Sequence, residues 1–311
     1  MTITHKRRIY HVAQQTDEKT RLLDVICSMN SGKKVNAIEF ALSSGYSMDS
    51  ASQPAISENA SLTAPTAETT ARTQEFNVVQ LFQRAVEVSY LKSSSYGQMS
   101  GINIAGQDNN VPSELDFQIA RRMSQMKMDL GYTLINGVYQ YSAGTPATAI
   151  KTRGIAPAIT TNVTDGTDVT FTPAMIDVQL REMISNGADV SALEIWVNPA
   201  MLMVLTEAYK TAGQTVVDSR TEMGTQYNVI ITNFGTMRVF WDNYIPEKTI
   251  LFLNTSLMSV VELDVPGKGN FFYEPLAKTG AGERGQIYAQ CGVDYGAEWQ
   301  HGKIINIGVT T

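Results

Sequence analysis

Cysteine is scarce in this 311-residue sequence, which contains only two. Cys27 and Cys291 lie near opposite ends of the chain, a spacing that matches neither a metal-ligand pair nor a disulfide framework. Cysteine usage of this kind favours synthesis in a reducing, intracellular compartment.

Histidine is almost as rare, with three residues at positions 5, 11 and 301. They form no i, i+4 pair and no H-E-x-x-H motif, so the sequence supports neither a zinc site nor a histidine base. His301, close to Glu298, is expected to be a surface residue beside a strand. We therefore expect no metal.

Long apolar runs are also missing. The longest notable run, MLMVL at Met201–Leu205, is far shorter than the ~20 apolar residues that cross a bilayer as a helix. The opening MTITHKRRIY has positive charge but no apolar segment behind it, so no signal peptide is expected. These features predict a soluble protein with no membrane partner.

An excess of positive charge is absent from the chain as a whole. Lys and Arg number 24 against 30 Asp and Glu, for a net charge of −6, which argues against a dedicated nucleic-acid reader. Residues 1–34 are the exception, because they hold seven basic residues and three acidic ones. A basic arm thus precedes an acidic body. The hydrophobic content of the whole chain, 43%, is typical of a globular protein.

Gly280, Gly282 and Gly285 have the G-x-G-x-x-G spacing of dinucleotide-binding loops. That chemistry needs a helix after the loop, whose N-terminal amides face the phosphates. Here Gly285 is followed by QIYAQCGVDYG, which alternates with the period of a strand, and Glu283 brings negative charge into the loop. We expect a glycine-rich turn between strands, with no nucleotide and no other cofactor.

A second motif points to an enzyme. Ser89 to Lys92 fits S-x-x-K and Lys278 to Gly280 fits K-T-G, in the order found in serine acyl-transferases of the β-lactamase type. No S-x-N element lies between them, and Ser89 is expected at a strand end without a helix start beside it. A serine acyl-transferase using Ser89 and Lys92 is the alternative function from another class.

Secondary-structure patterns divide the chain. Thr16–Met29 is predicted to be a short amphipathic helix of the arm, and KVNAIEFAL is predicted to be a strand. Ser43–Thr70 is too polar to bury a core. A long helix is predicted over Ser113–Asn136, with Ser113 as N-cap. Its apolar stripe consists of Leu115, Ile119, Met126, Leu130 and Leu134.

The second half mixes helices and strands. Helices are predicted to begin at Thr172-Pro173 and Asn198-Pro199, because proline is favoured in the first turn. Strands are predicted at LEIWV, YNVIIT, MRVFWD, TILFLN and MSVVEL. This order predicts an α+β fold.

Residues 76–90 alternate between apolar and polar side chains and predict two strands of one extended hairpin. A lone two-stranded ribbon is marginal in water, and its flanks are too polar to cover it, so a neighbouring subunit is the expected cover. The candidate inter-subunit contacts are Phe76, Val78, Phe82, Arg84, Val86 and Tyr90. Arg84 shares a face with Phe82 and Val86 and is the candidate for an inter-subunit ion pair.

Several short matches occur in a fixed order: AIEF, RTQEFNVVQLFQRAVEVS, TRGI, WVNPAM, VFWDNYIP and EPLAKTGAGERGQIYAQCGVDYGAEWQHGKI. Together they resemble the major capsid proteins of tailed bacteriophages, which have the Hong Kong 97-type fold. Phe40 stands where the family favours tryptophan, and Gln290 where it often has an acidic residue, which leaves the local pairing there open. The likeness covers nearly the whole chain.

The resemblance implies an order of parts along the chain. These are an N-terminal arm (1–34), an extended loop (35–110), a peripheral domain with a spine helix (111–150), an axial domain (151–270) and returning strands of the peripheral domain (271–311). The arm is too short for the cleaved scaffolding extension of some relatives. A separate scaffold protein, or none, is implied.

The resemblance also implies a structural role without enzymatic activity. Copies of the chain would assemble as hexamers and pentamers into an icosahedral shell around phage DNA, which they would contact without sequence preference. Portal and decoration proteins are further implied partners, the virion is the implied location, and assembly would occur in the bacterial cytoplasm. An encapsulin-like cargo compartment is the alternative within the same fold.

Overall fold

The computed structural model describes residues 20–30, 32–46, 51–65, 69–70, 72–94, 114–143, 145–211, 217–222 and 225–308. None of the helices in these ranges is long and apolar enough to cross a membrane. The helices are α1 (Arg21–Met29), α2 (Glu58–Ser61), α3 (Tyr90–Ser94), α4 (Glu114–Asn136), α5 (Ile155–Ala158), α6 (Pro173–Ser185) and α7 (Pro199–Thr211). Short 3-10 turns occupy Val190–Ala192, Thr255–Leu257 and Glu298–Gln300.

Fourteen strands are found in the described ranges. The first seven are β1 (Lys33–Val35), β2 (Glu39–Tyr46), β3 (Arg72–Val78), β4 (Gln80–Ser89), β5 (Val163–Asp165), β6 (Glu194–Val197) and β7 (Val217–Glu222). The others are β8 (Thr225–Thr232), β9 (Gly235–Trp241), β10 (Ile250–Leu253), β11 (Ser259–Leu263), β12 (Phe272–Pro275), β13 (Gly282–Asp294) and β14 (Gly302–Ile305). The predicted helices after Thr172 and Asn198 and the five predicted strands of this half are confirmed.

The strands form three sheets. A five-stranded sheet is built on β13, with β4 along one side and β12 and β11 along the other, and β1 beyond β11. A seven-stranded sheet has the order β5-β14-β10-β6-β9-β8-β7, and β2 pairs with β3 in a separate two-stranded sheet. The predicted α+β class is confirmed.

Sheet membership departs from the predicted parts of the chain at two strands. β11 belongs to the five-stranded sheet, although it was predicted within the axial range 151–270. β14 belongs to the seven-stranded sheet, although it was predicted among the returning strands of 271–311. The chain crosses between the two sheets at 254–258 and again at 295–301, so no single cut in sequence separates them.

α4 is the predicted long helix, and its apolar stripe is core. Met126, Leu130 and Leu134 are at most 1% exposed, while Leu115 and Ile119 are partly buried against the same cluster. The helix packs on β4 and β13, whose Val86 and Ile287 side chains belong to that cluster. Ser113, predicted as its N-cap, lies outside the described residues.

α1 was predicted as part of an arm, but it is buried in the subunit. Leu22, Leu23 and Ile26 are at most 1% exposed and join the same core as the long helix. The Lys127 ammonium of α4, itself nearly buried, lies 2.6 Å from the Asp24 carboxylate. Burial of three large aliphatic side chains makes this helix part of the folded domain.

The predicted hairpin over residues 76–90 is wrong in its pairing. β3 pairs with β2, and β4 pairs with β13 over all ten of its residues. Only Val79 separates β3 from β4, and a hairpin needs a connection of at least two residues. The chain therefore continues from one sheet into another.

The C-terminal end of α4 is held by two glycines in close contact. The Gly154 amide donates to the Gly137 carbonyl at 2.7 Å, and a Cβ at Gly154 would lie 2.6 Å from the Gly137 nitrogen and 2.7 Å from the Thr133 carbonyl oxygen. These obstacles are backbone atoms, which cannot rotate away. Glycine is needed here for space, since the φ of Gly154 is −82°.

Gly154→Ala is therefore expected to lower the free energy of unfolding by about 1–3 kcal/mol, the usual cost of forcing an added methyl into a packed site. Urea denaturation of unassembled subunits measures it. Gly280→Ala is the control, because nothing lies within 4 Å of an added Cβ there. Equal stability of the two variants would contradict the close-contact explanation.

Candidate inter-subunit surfaces

Residues 51–65, which lie between β2 and β3, form the longest continuous run of exposed residues in the described ranges. Every residue from 51 to 65 is exposed, including Ile56 (72%) and Leu62 (84%). We call β2, β3 and residues 51–65 the exposed ribbon. Only its base is covered, where Phe40 packs with Val79 and Val261. Large exposed apolar side chains on a thin ribbon are typical of a surface that another chain covers.

The six predicted contact residues divide between surface and core. Val78, Phe82 and Val86 are at most 7% exposed, and the last two belong to the subunit's own main core. Phe76 and Tyr90 are 43% and 42% exposed. An inter-subunit role therefore stays a proposal for Phe76 and Tyr90. The three buried side chains already pack against other residues of their own subunit.

Arg84 was predicted to make an inter-subunit ion pair, but it has a partner in its own chain. Its Nη2 and Nε lie 2.5 and 3.1 Å from Oδ2 of Asp129 on α4. Both side chains are about one-third exposed, so this ion pair is solvent-screened and worth at most about 1 kcal/mol. It fastens β4 to the long helix.

Beside this ion pair lies an open groove along β4. It is lined by the consecutive residues 80–84 of β4 and by Asp129, Tyr132 and Thr133 of α4. Leu81 and Tyr132 are 50% and 54% exposed in it. Apolar side chains beside a strand edge are a second candidate surface for contact with another chain.

The residues of the S-x-x-K and K-T-G motifs come together in space. Ser89 pairs with Gly282 across β4 and β13, and the Lys278 ammonium lies 3.1 Å from the Tyr90 hydroxyl. The expectation that Ser89 lacks a helix start is wrong, because its Oγ accepts from the Lys92 amide at 3.2 Å at the start of α3. The Lys92 ammonium lies 2.9 Å from the Glu114 carboxylate, which holds it in an ion pair.

The glycine-rich motif leads into a strand, as predicted. Gly282 and Gly285 are both in β13, so no helix follows the loop to present amides to a phosphate. A Cβ at Gly285 would lie 2.2 Å from the Tyr273 hydroxyl of the neighbouring strand. The glycine leaves room for that tyrosine to lie across the sheet.

His301 was expected at the surface, but its side chain is fully buried. Its Nδ1 accepts from the Asn254 amide at 3.2 Å, so Nε2 carries the hydrogen and donates to the Tyr295 carbonyl at 2.8 Å. The ring thus bridges the two places where the chain crosses between the large sheets. Burial lowers the pKa of His301 to about 4, and the carboxylate of Glu298 only partly offsets this.

Nearby, Glu298 joins the same crossing to the segment before β5. One of its oxygens accepts from the amides of Thr160 and Thr161 at 3.0 and 3.2 Å. The sequence singled out Glu298 only because it lies three positions before His301. Across the ranges that the structure describes, no three His, Cys, Asp or Glu side chains gather as metal ligands.

The structure is similar to solved structures of phage capsids and of an encapsulin. The holo-SrpI encapsulin complex from Synechococcus elongatus PCC 7942 has a TM-score of 0.61 at 12% identity, and the match covers 100% of this chain and 98% of that one. The Cyanophage A-1(L) capsid asymmetric unit has a TM-score of 0.60 at 12% identity, over 94% of each chain. Mycobacterium phage Patience gives 0.57 at 10% identity, over 94% of this chain and 85% of that one. No curated protein matches the sequence significantly.

These likenesses show the Hong Kong 97-type fold. The family model described as SU10 major capsid protein matches residues 10–308. The chain belongs to this family of major capsid proteins. It is a structural component of a virion, and copies of it associate into a shell.

Proposed function

We propose that the protein forms hexamers and pentamers that close into an icosahedral shell around double-stranded DNA. The observation that carries the proposal is the exposed ribbon, whose Ile56 and Leu62 side chains are 72% and 84% exposed among the described residues. Assembly buries such side chains and gains about 1.5–3 kcal/mol for each one fully covered. The acidic body, at a net charge of −6 for the whole chain, suits a container that holds packed DNA loosely.

The same proposal includes the proteins that would act with the shell and the compartment in which the shell would assemble. A separate scaffold protein, a portal and decoration proteins would act with the shell, and assembly would take place in the host cytoplasm. The division into arm, extended loop, peripheral domain, axial domain and returning strands is kept as a proposal, with β11 and β14 assigned by their sheets. An encapsulin-like compartment remains the second candidate, favoured only by the likeness to the SrpI shell.

We also propose that the chain carries no acyl-transferase activity. The Ser89 hydroxyl accepts a backbone hydrogen bond from the Lys92 amide, and the Lys92 side chain is engaged in an ion pair with Glu114. A general base must be in reach of the nucleophile's proton, and this ion pair directs the Lys92 side chain to another partner. Turnover of an activated ester, lost on Ser89→Ala, would contradict this part of the proposal.

Assembly is tested by placing charge on the exposed ribbon. The double variant Ile56→Asp, Leu62→Asp is expected to give folded subunits with unchanged circular dichroism that fail to form closed shells, because burying unpaired carboxylates is costly. Sedimentation velocity and negative-stain electron microscopy measure the product. The substitutions are confined to residues 51–65 because residues 76–90 include Phe82 and Val86, whose loss would disturb the core of the subunit.

Val169→Asp is the matched control, since Val169 is a 52% exposed aliphatic residue far from the ribbon in sequence. It is expected to assemble as the unchanged protein does. Particles of normal size and stability from the double variant would contradict the role of the ribbon. Absence of shells from the unchanged protein would count against the shell function itself.

A further inference from the structure

α1 lies where the two large sheets meet. Its apolar side chains join a core that contains Trp196 and Leu251 of the seven-stranded sheet together with Val86 and Ile287 of the five-stranded sheet. Apolar burial is not directional, so this shared core holds the sheets together without fixing the angle between them. Hydrogen bonds weaken steeply when they are misaligned, and they can therefore fix an angle. The polar contacts at the two ends of α1 supply that direction.

The N-terminal end of α1 is capped by the seven-stranded sheet. The Leu22 amide donates to Oδ2 of Asp242, a residue 220 positions further along the chain, at 3.0 Å. Asp242 directly follows β9 and is 1% exposed. Thr20, at the N-cap position, makes no side-chain cap hydrogen bond, so the Asp242 carboxylate takes over that role. The Arg21 guanidinium lies over the Trp241 ring of β9, 3.6 Å from its centroid, and strengthens the same attachment.

The C-terminal end of α1 is held by a chain crossing. Nδ2 of Asn30 donates to the carbonyl oxygens of Met258 and Ser256 at 2.6 and 3.1 Å, and the Thr255 carbonyl oxygen lies 3.3 Å away. These acceptors belong to residues 254–258, the first of the two places where the chain crosses between the large sheets. One amide group thus fastens the end of the helix to the backbone of the crossing.

Between its ends, α1 is seated on α4, which packs on the five-stranded sheet. A Cβ at Gly131 of α4 would lie 2.6 Å from Cγ2 of Thr20, so the start of α1 is in close contact with the long helix. The end of α4 contacts the loop after β9 as well, because Nδ2 of Asn136 donates to the Tyr244 carbonyl at 2.7 Å. α1 therefore connects the five-stranded sheet, through α4, to the end of β9 in the other sheet.

We propose that α1 is a clasp that sets the angle between the two large sheets, with Asp242 and Asn30 as the positioning residues at its ends. Release of either end lets the sheets reorient about residues 254–258 and 295–301 while the shared apolar core stays buried, which is the behaviour of a hinge. The proposal goes beyond the shell function, because it concerns a conformational property of the single subunit.

Two substitutions of nearly unchanged size release the ends. Asn30→Asp replaces the amide donor with a carboxylate oxygen that faces carbonyl oxygens. Asp242→Asn replaces one of two acceptor oxygens with a donor, although Oδ2 accepts from the Leu22 amide and Oδ1 from the Tyr244 amide. Both variants leave the apolar face of α1 intact, so a change in sheet angle is separated from a loss of core packing.

The angle is measured in unassembled full-length subunits with two spin labels and double electron–electron resonance. The labels are attached at Leu81→Cys on β4 and at Met203→Cys on α7, which are 50% and 75% exposed. Burial raises the pKa of the natural Cys27 and Cys291 thiols to about 12, so they react slowly with the label. The otherwise unchanged subunit is expected to give one narrow distance peak. Each variant is expected to shift or broaden that peak with unchanged circular dichroism.

Asp189→Asn is the matched control, because Asp189 caps only the neighbouring 3-10 turn, where its Oδ1 accepts from the Ser191 amide at 3.0 Å. It is expected to keep the narrow peak. A narrow, unshifted peak from either folded variant, or equal broadening by the control, would overturn the clasp. If Asp242→Asn does not fold, Asn30→Asp decides alone, since Asn30 is only half-buried. None of these outcomes depends on whether shells form.

Discussion

Leu130→Ala is expected to lower the free energy of unfolding of the unassembled subunit by about 2–5 kcal/mol, the range for aliphatic truncations in protein cores. Leu130 belongs to the apolar stripe of α4 and is 1% exposed. Removing its branched end leaves a cavity among side chains from the helix and the five-stranded sheet. Such a loss would place this helix among the elements that determine whether the subunit folds.

Urea denaturation followed by tryptophan fluorescence measures the effect. Trp196 is fully buried in the same core and stacks on Phe240 with 4.8 Å between ring centroids, so its emission reports on this packing. Val138→Ala, just beyond the helix and 68% exposed, should change stability by less than about 0.5 kcal/mol. A comparable small change for Leu130→Ala would mean that the stripe is not core.

Acidification is expected to remove about 3 kcal/mol of stability between pH 7 and pH 4 through His301 alone. Its imidazole is neutral in the folded subunit, where burial lowers its pKa from 6.5 to about 4. The unfolded chain binds a proton below pH 6.5 while the native state does not, so stability falls as the pH drops through this window. Each unit of pKa difference corresponds to about 1.4 kcal/mol.

His301→Asn isolates this contribution, because asparagine does not titrate and its carbonyl oxygen can still accept near the position of Nδ1. The carboxyls of Glu194 and Asp242 have pKa values raised by burial and oppose the loss as the pH falls, but they are present in both proteins. Urea denaturation at several pH values should show the stability gap between the two proteins shrinking by about 3 kcal/mol from pH 7 to pH 4. A constant gap would mean that His301 is not held neutral.

Local patterns predicted the elements that depend on local physics. The helix stripe from Leu115 to Leu134 follows the 3.6-residue period, and burying one stripe is the main stabilisation that such a helix has. The proline starts at 173 and 199 and the apolar strand cores of the second half were also confirmed, since each reflects a backbone preference within a few residues. The short sequence matches, taken together and in their order, indicated the fold and the family. No single match was specific enough to do so.

The partners of the strands and the burial of individual side chains could not be predicted from local patterns. Alternation over residues 76–90 predicted two strands correctly, but it does not specify a partner, and β4 pairs with a strand about 200 residues further along the chain. His301 has polar neighbours in sequence, yet both hydrogen-bond partners of its ring are backbone groups that folding brings to it. The requirement for glycine at position 154 comes from a contact with Gly137, which only the packed structure contains.

The sequence by itself therefore determined the fold class, the long helix, the strand after the glycine motif and the family, because periodicity and motif order are properties of the chain. The tertiary structure alone decided which apolar residues are core and which are exposed on the subunit surface. Phe82 and Phe76 belong to the same alternating pattern, but the first is 7% exposed and the second 43%. Strand alternation assigns side chains to two faces, and only the arrangement of α4, β13 and the exposed ribbon determines which face is covered.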